Sequence, residues 1–198
     1  MGIKSYLLNM KRAILIHGWG GVPEEGWRPW LRGELEKRGF KVLIPAMPDT
    51  KHPKLSAWVG KIAESVGKPD KHTYLVGHSL GPLAILRYLE SLKPGEEIGG
   101  AVFVAGFSSE LNKDNIDDTK IRSFFDHPVD WEKVKKHCRV FVAINSDNDP
   151  FVPVEEGDIF KEKLGAELIV KHNMGHLGVD NGITEFPDVL DSILKLSE

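Results

Sequence analysis

The chain has 198 residues, of which 41% are hydrophobic and 28% charged, a composition that argues against a disordered chain, a collagen or a coiled coil. Its 26 basic and 29 acidic side chains give a net charge of −3, so no basic excess points to nucleic acid or an anionic membrane as a partner. A single cysteine, Cys138, cannot form an intramolecular disulfide.

No apolar run approaches the ~20 residues that a membrane span needs. Residues 1–10 are too short and too interrupted to supply the core of a signal peptide. We therefore expect a cytoplasmic protein with no membrane partner. We also expect residues 1–198 to form one domain, with residues 1–10 as a candidate extension outside its core.

Six short apolar runs, rich in β-branched and aromatic residues, predict strands at residues 12–17, 41–45, 73–76, 101–105, 139–144 and 167–170. Apolar residues in these runs are largely consecutive rather than alternating. That pattern is typical of a parallel sheet that is covered on both faces.

Longer amphipathic segments between these runs predict helices at residues 27–38, 55–66, 82–92, 155–164 and 184–196. Strands that alternate with helices indicate βαβ crossovers. The sequence therefore predicts an α/β fold, a three-layer α/β/α sandwich with about six mostly parallel strands.

One segment, residues 107–137, interrupts this alternation. Its first half is polar and poor in apolar residues, and its second half ends in a predicted short helix. Connections of this length inside a domain are usually functional or disordered. We expect an active-site loop or a small cap, variable in structure and close to the site.

The sequence GHSLG at residues 77–81 stands between a predicted strand and a predicted helix. A sharp turn at this place holds the central serine, Ser79, in a strained conformation that exposes its hydroxyl, and the glycines remove side chains that would clash. The pattern predicts a nucleophilic serine. A glycine turn with Ser79 as an ordinary helix N-cap is the alternative.

A serine nucleophile needs a base and an orienting carboxylate, which follow it in the order acid, then histidine. Asp149 follows the fifth strand, and the proline-rich residues 150–153 after it favour it over Asp147. His176 lies in a glycine-bearing loop after the sixth strand and is favoured over His172. His78, beside the serine, is expected to hold the turn.

The sequence HGWGG at residues 17–21 follows the first strand and exposes backbone N–H groups. We predict that the N–H groups of Trp19 and Leu80 bind the oxyanion of a tetrahedral intermediate. A dinucleotide site is excluded because Pro23 replaces the third glycine and the second strand lacks a terminal acid. No Walker sequence or metal-binding histidine spacing occurs, so neither a cofactor nor a metal is predicted.

Aromatic side chains concentrate near the predicted site. We expect Trp19, His17 and Phe151 to contact substrate. Trp27 and Trp58 either pack in the core or contribute to the same pocket.

These motifs together resemble the α/β-hydrolase superfamily, and within it the small lidless serine hydrolases typified by retinoblastoma-binding protein 9. The resemblance extends over nearly the whole chain and includes residues 17–21, 27–37, 47–49, 77–81, 131–134, 146–153 and 175–176. It implies Ser79, Asp149 and His176 as a triad and a strand order of 2-1-3-4-5-6. A Leu-x-Cys-x-Glu segment is absent, so the partner binding for which retinoblastoma-binding protein 9 is named does not carry over, and the sequence identifies no particular protein partner.

The sequence thus predicts a metal-free, carboxylesterase-like serine hydrolase that cleaves small-molecule esters or amides through an acyl-enzyme. Two alternatives remain open. One is a non-catalytic protein-binding module on the same fold, since fold does not dictate function. The other is an acyltransferase that uses the same triad.

Overall fold

The computed structural model describes residues 10–111 and 118–198, so most of the candidate N-terminal extension lies outside the described residues. Six strands form one sheet in the order β2-β1-β3-β4-β5-β6, and every neighbouring pair is parallel. Their bounds are β1 Arg12–Ile16, β2 Lys41–Leu43, β3 Thr73–His78, β4 Gly100–Val104, β5 Phe141–Ser146 and β6 Glu167–Lys171. The strand order is the one that the family resemblance implies.

Helices cover both faces of the sheet. Their bounds are α1 Arg28–Glu36, α2 Leu55–Val66, α3 Leu80–Ser91, α4 Trp131–His137, α5 Glu155–Leu164 and α6 Pro187–Leu196. Helices α2 to α5 contribute to the core on one face, and α1 and α6 contribute to the core on the other. The predicted α/β/α architecture is confirmed.

Burial of the strands follows their position in the sheet. Every residue of β3, β4 and β5 is buried, as consecutive apolar residues predict for strands covered on both faces. The two edge strands are partly exposed, with two of the three residues of β2 exposed. Because they are buried on both faces, the central strands hold in place the part of the sheet that carries the candidate site.

Several elements begin or end away from the predicted residues. Helix α6 begins at Pro187 rather than at residue 184, because proline suits the first turn of a helix and disfavours helical backbone in the residue before it. Strand β2 ends at Leu43 rather than at residue 45. Among the described residues, no helix has the length and apolar character needed to cross a membrane.

Candidate active site

Ser79 lies at the turn between β3 and α3. Its backbone has φ 58° and ψ −109°, a conformation that L-residues rarely adopt. The Ser79 N–H donates to the carbonyl of Val104 on the neighbouring strand at 3.0 Å. The strain is therefore held in place by the sheet, as expected for a nucleophile elbow.

Gly77 and Gly81 are required by close approaches of the backbone. A Cβ at Gly77 would lie 2.5 Å from the nitrogen of Pro82, and a Cβ at Gly81 would lie 2.6 Å from the carbonyl oxygen of Ile16. Both distances are too short for any other residue. The two glycines thus let the elbow pack directly on helix α3 and strand β1.

The parallel sheet brings the other candidate residues to the same edge. Asp149 follows the carboxyl end of β5, and His176 follows the carboxyl end of β6. His176 Nδ1 lies 2.8 Å from Asp149 Oδ2. The Asp149 side chain is 1% exposed and that of His176 is 17% exposed, so the carboxylate is buried beneath an imidazole that still reaches the surface.

Backbone hydrogen bonds fix the Asp149 carboxylate. Its second oxygen, Oδ1, accepts from the N–H groups of Phe151 at 2.8 Å and Val152 at 3.0 Å. The turn made by residues 150–153 therefore aims one carboxylate oxygen at His176.

The two residues that compete for these roles pair with each other instead. Asp147 Oδ2 lies 2.6 Å from His172 Nδ1, and Asp147 Oδ1 accepts from the Asn173 N–H at 2.9 Å. Hydrogen bonds from the Asn173 N–H and His172 lower the pKa of Asp147. This second pair is exposed, with 78% of the His172 side chain accessible.

The end of β5 and the loop after it bind the loop that follows β6. The Ser146 hydroxyl accepts from the Met174 N–H at 3.1 Å, and the Asn148 carboxamide oxygen accepts from the Gly175 N–H at 2.8 Å. Asn148 lies in the segment that carries the resemblance, but the sequence analysis gave it no role. These bonds fix the loop that carries the candidate base.

The backbone of His176 is held from two further sides. Its N–H donates to Asn181 Oδ1 at 2.8 Å, and its carbonyl accepts from His78 Nε2 at 2.8 Å. The Trp27 indole N–H donates to the carbonyl of Leu177 at 3.0 Å. The contribution of Asn181 was not predicted, because asparagines in loops carry no sequence pattern that marks their partner.

His78 is buried and uncharged. Burial, with a smaller contribution from the nearby His176, lowers the pKa of His78 to about 3. Because the His176 carbonyl accepts, the proton of the neutral His78 ring is on Nε2. His78 was expected to hold the turn around Ser79; in the structure it bonds the loop that carries His176.

His17 differs from its prediction as a substrate contact. Its ring is fully buried, and Nδ1 donates to the carbonyl of Gly18 at 2.9 Å while Nε2 accepts from the Met47 N–H at 3.2 Å. Burial lowers the pKa of His17, which keeps the ring neutral in these two roles. Because both ring nitrogens bind backbone, His17 shapes the glycine loop rather than contacting a substrate.

A cavity of about 410 Å³ opens beside Ser79, His176, Trp19 and Leu80; we call it the larger cavity. Phe151 lines it and packs edge-on against the His176 ring, with 5.1 Å between ring centroids. Its remaining described lining residues are Phe107, Leu111, Lys120, Ile121, Val152 and Asp180. Leu80 is the first residue of α3, where backbone N–H groups have no acceptor within the helix.

A second cavity, of about 240 Å³, is also lined by Ser79 and His176; we call it the smaller cavity. Trp19 and Trp27 both line it, whereas Trp58 is fully buried in the core. Of the aromatic residues that the sequence left open, both Trp27 and Trp58 are buried in the core, and Trp27 also borders a cavity.

Two buried charged side chains form hydrogen bonds to the connection over residues 107–137. Glu156 on α5 accepts from the backbone N–H and hydroxyl of Ser108 at 2.8 and 3.0 Å. Arg87 on α3 donates to the carbonyl of Phe124 at 2.9 Å and to that of His127. Phe107, Leu111, Lys120 and Ile121 of this connection reach the larger cavity, so it lies close to the site, while residues 112–117 are outside the described residues.

Metal ligation has no candidate in the part of the chain that the structure describes: no three histidine, cysteine or acidic side chains come together there in a way that would hold an ion.

A six-stranded parallel sheet, a serine elbow and an acid–histidine pair at one edge define the α/β-hydrolase class. The chain matches the serine hydrolase family over residues 13–195 and belongs to that family.

Its relatives agree with this assignment. A putative hydrolase of Bacillus subtilis, YdeN, is 32% identical over 91% of this chain and 93% of its own. The serine hydrolase RBBP9 of Rattus norvegicus is 31% identical over 83% of this chain and 86% of its own. The crystal structure of the B. subtilis ydeN gene product superposes with a TM-score of 0.88 at 29% identity, covering 94% of this chain and 98% of that one.

Proposed function

We propose that this serine hydrolase cleaves small esters, and amides of similar size, through an acyl-enzyme on Ser79. Ser79 Oγ attacks the carbonyl carbon while its proton passes to His176 Nε2. The bond to the leaving group then breaks, and His176 returns the proton to that group. Water repeats the sequence on the acyl-enzyme and releases a carboxylic acid.

Asp149 and two backbone groups complete the proposed machinery. Asp149 orients the His176 ring through Nδ1 and stabilises the imidazolium that forms during each proton transfer. The N–H groups of Trp19 and Leu80 donate to the oxyanion. A donor of this kind is worth roughly 3–4 kcal/mol of transition-state stabilisation in enzymes where one has been removed.

One observation carries this proposal: the buried Asp149 carboxylate bonds His176 Nδ1 at 2.8 Å, and His176 lines the same cavity as the strained Ser79. A general base of this kind requires a partly exposed imidazole that is held by a buried carboxylate. Esterases among the solved structures, such as Est1E from Butyrivibrio proteoclasticus with a TM-score of 0.70 at 16% identity, share the fold.

The test is hydrolysis of p-nitrophenyl acetate by the wild-type chain and by Ser79→Ala. We expect the substitution to lower turnover by a factor on the order of 10⁴–10⁶ without altering thermal unfolding. Product analysis in the presence of added alcohols separates hydrolysis from acyl transfer, because transfer to an alcohol produces a new ester instead of acid. Turnover by Ser79→Ala at the wild-type rate would overturn the mechanism.

A further inference from the structure

The two cavities meet at the reacting groups. Trp19, Ser79, His176 and Asp180 line both of them. A substrate whose carbonyl carbon lies at Ser79 Oγ therefore has access to both compartments. The chemistry of the two walls then decides which substituents fit.

Seven of the eleven described residues that line the larger cavity are apolar or aromatic, and polar groups form the rest of its wall. Phe107, Ile121 and Val152 are 3%, 1% and 1% exposed and form its depth. The charged residues among its described lining, Lys120 and Asp180, are exposed and so lie towards solvent. A volume of about 410 Å³ falls within the range of small-molecule sites, about 300–1,000 Å³.

The smaller cavity is polar, and much of its wall is glycine backbone, from Gly18, Gly20, Gly21, Gly26 and Gly178. Its buried cation, Arg28, donates to the carbonyl of Val22 at 2.8 Å and lies 3.8 Å from Glu25. Glu25 and Asp180 add negative charge to the lining and partly compensate the guanidinium, whose buried Nε has no hydrogen-bond partner among the described residues. This compartment suits a small, uncharged polar group better than an anion.

We propose that the substrate carries an aryl-bearing acyl group, held in the larger cavity, and a small neutral alcohol or amine, held in the smaller one. The inference rests on the proposed function. Leu80, a proposed oxyanion donor, lines the larger cavity, so the carbonyl enters from that side with its acyl substituent behind it. Aryl burial against Phe107, Phe151 and Trp19 favours acylation because aromatic pairs add to the gain from area burial.

Two isomeric esters test the direction of binding. Methyl phenylacetate has an aryl acyl group and a small alcohol, whereas benzyl acetate has the same atoms with the two roles exchanged. We expect kcat/KM for methyl phenylacetate to exceed that for benzyl acetate by at least about tenfold, the effect of burying one large apolar group. Equal values, or a preference for benzyl acetate, would overturn the proposal.

Two variants test whether the acyl group lies against the wall of the larger cavity. Ile121→Phe narrows the larger cavity and should lower the ratio of kcat/KM for methyl phenylacetate over methyl acetate about fivefold or more. Val140→Phe, at an exposed position outside both cavities, should leave that ratio unchanged. An unchanged ratio in Ile121→Phe would contradict the placement of the acyl group.

These outcomes separate the inference from the function on which it rests. A chain that hydrolyses both isomers without preference keeps the proposed function and loses the substrate assignment. A chain that hydrolyses neither ester, nor p-nitrophenyl acetate, loses the proposed function.

Discussion

The imidazole of His78 donates from Nε2 to the main-chain carbonyl of His176 at 2.8 Å. This bond joins the residue before the nucleophile to the residue proposed as its base. The two rings lie 5.0 Å apart between centroids, and Trp27 packs edge-on against His78. The turn that carries Ser79 and the loop that carries His176 are thus held together by a neutral donor, which adds no positive charge beside the imidazolium of the proposed catalytic cycle.

Replacing the His78 donor should therefore act on turnover. We expect His78→Leu, which removes the donor, to lower kcat on p-nitrophenyl acetate about tenfold or more, because small misplacements of a base are costly. His78→Gln keeps a neutral N–H donor and should restore most of the loss, with KM little changed in both variants. Equal kcat in the leucine and glutamine variants would show that the hydrogen bond is not what positions His176.

The depressed pKa of His78, about 3, also predicts how stability changes with pH. The unfolded chain binds a proton at this histidine below about pH 6.5 whereas the folded chain does not, so stability is lost as pH falls. Between about pH 7.5 and about pH 4.5, His78 alone should cost roughly 2–3 kcal/mol of unfolding free energy. Urea unfolding of the wild type and His78→Gln at both pH values measures this, and equal pH dependence in the two proteins would contradict it.

Asp149 and Asp147 form a matched pair of carboxylates, each bonded to a histidine Nδ1. Asp149→Asn should lower kcat by a factor on the order of 10³–10⁴, because it removes the carboxylate that orients and stabilises the His176 imidazolium. Asp147→Asn disturbs an exposed pair and should change kcat less than about threefold. Steady-state kinetics measures kcat for both variants. A larger loss in Asp147→Asn would show that Asp147, rather than Asp149, is the carboxylate that orients the base.

Gly18 and Gly33 give a matched pair of glycine positions. A Cβ at Gly18 would lie 2.7 Å from the Cβ of Ser79, whereas a Cβ at Gly33 on α1 meets no atom within 4 Å. Gly18→Ala should displace the nucleophile and lower kcat at least about tenfold. Gly33→Ala should leave kcat unchanged and stabilise the helix by about 0.5–1 kcal/mol. Full activity in Gly18→Ala would show that the elbow tolerates the shift.

Much of the fold follows from the sequence because burial on both faces leaves a direct trace in it. The consecutive apolar residues of β3, β4 and β5 predict covered parallel strands, and all three are buried throughout. Strand order has no such local trace and came only from the family resemblance. Strand bounds were less accurate: β5 begins and ends two residues later than predicted, and β2, which has a single buried residue to mark it, ends two residues early.

The candidate site, like the fold, could be predicted from the sequence only in part. The positions of Ser79, Asp149 and His176 after strand ends follow from the parallel sheet, whose carboxyl ends share one edge. The direction of a side chain in a glycine-rich loop does not follow from spacing. His17 was therefore predicted to face substrate although it is buried, and Asn148 and Asn181 were missed although both bond the histidine loop.

In the proposed mechanism Ser79 is a nucleophile that is activated by His176 above Asp149. The most direct test of this mechanism is reaction of the whole chain with a fluorophosphonate probe, followed by peptide mapping with mass spectrometry. We predict one adduct, on Ser79, no adduct in Ser79→Ala, and much slower labelling in His176→Ala. A wild-type chain that takes no label, or that carries the adduct on another residue, would contradict the account.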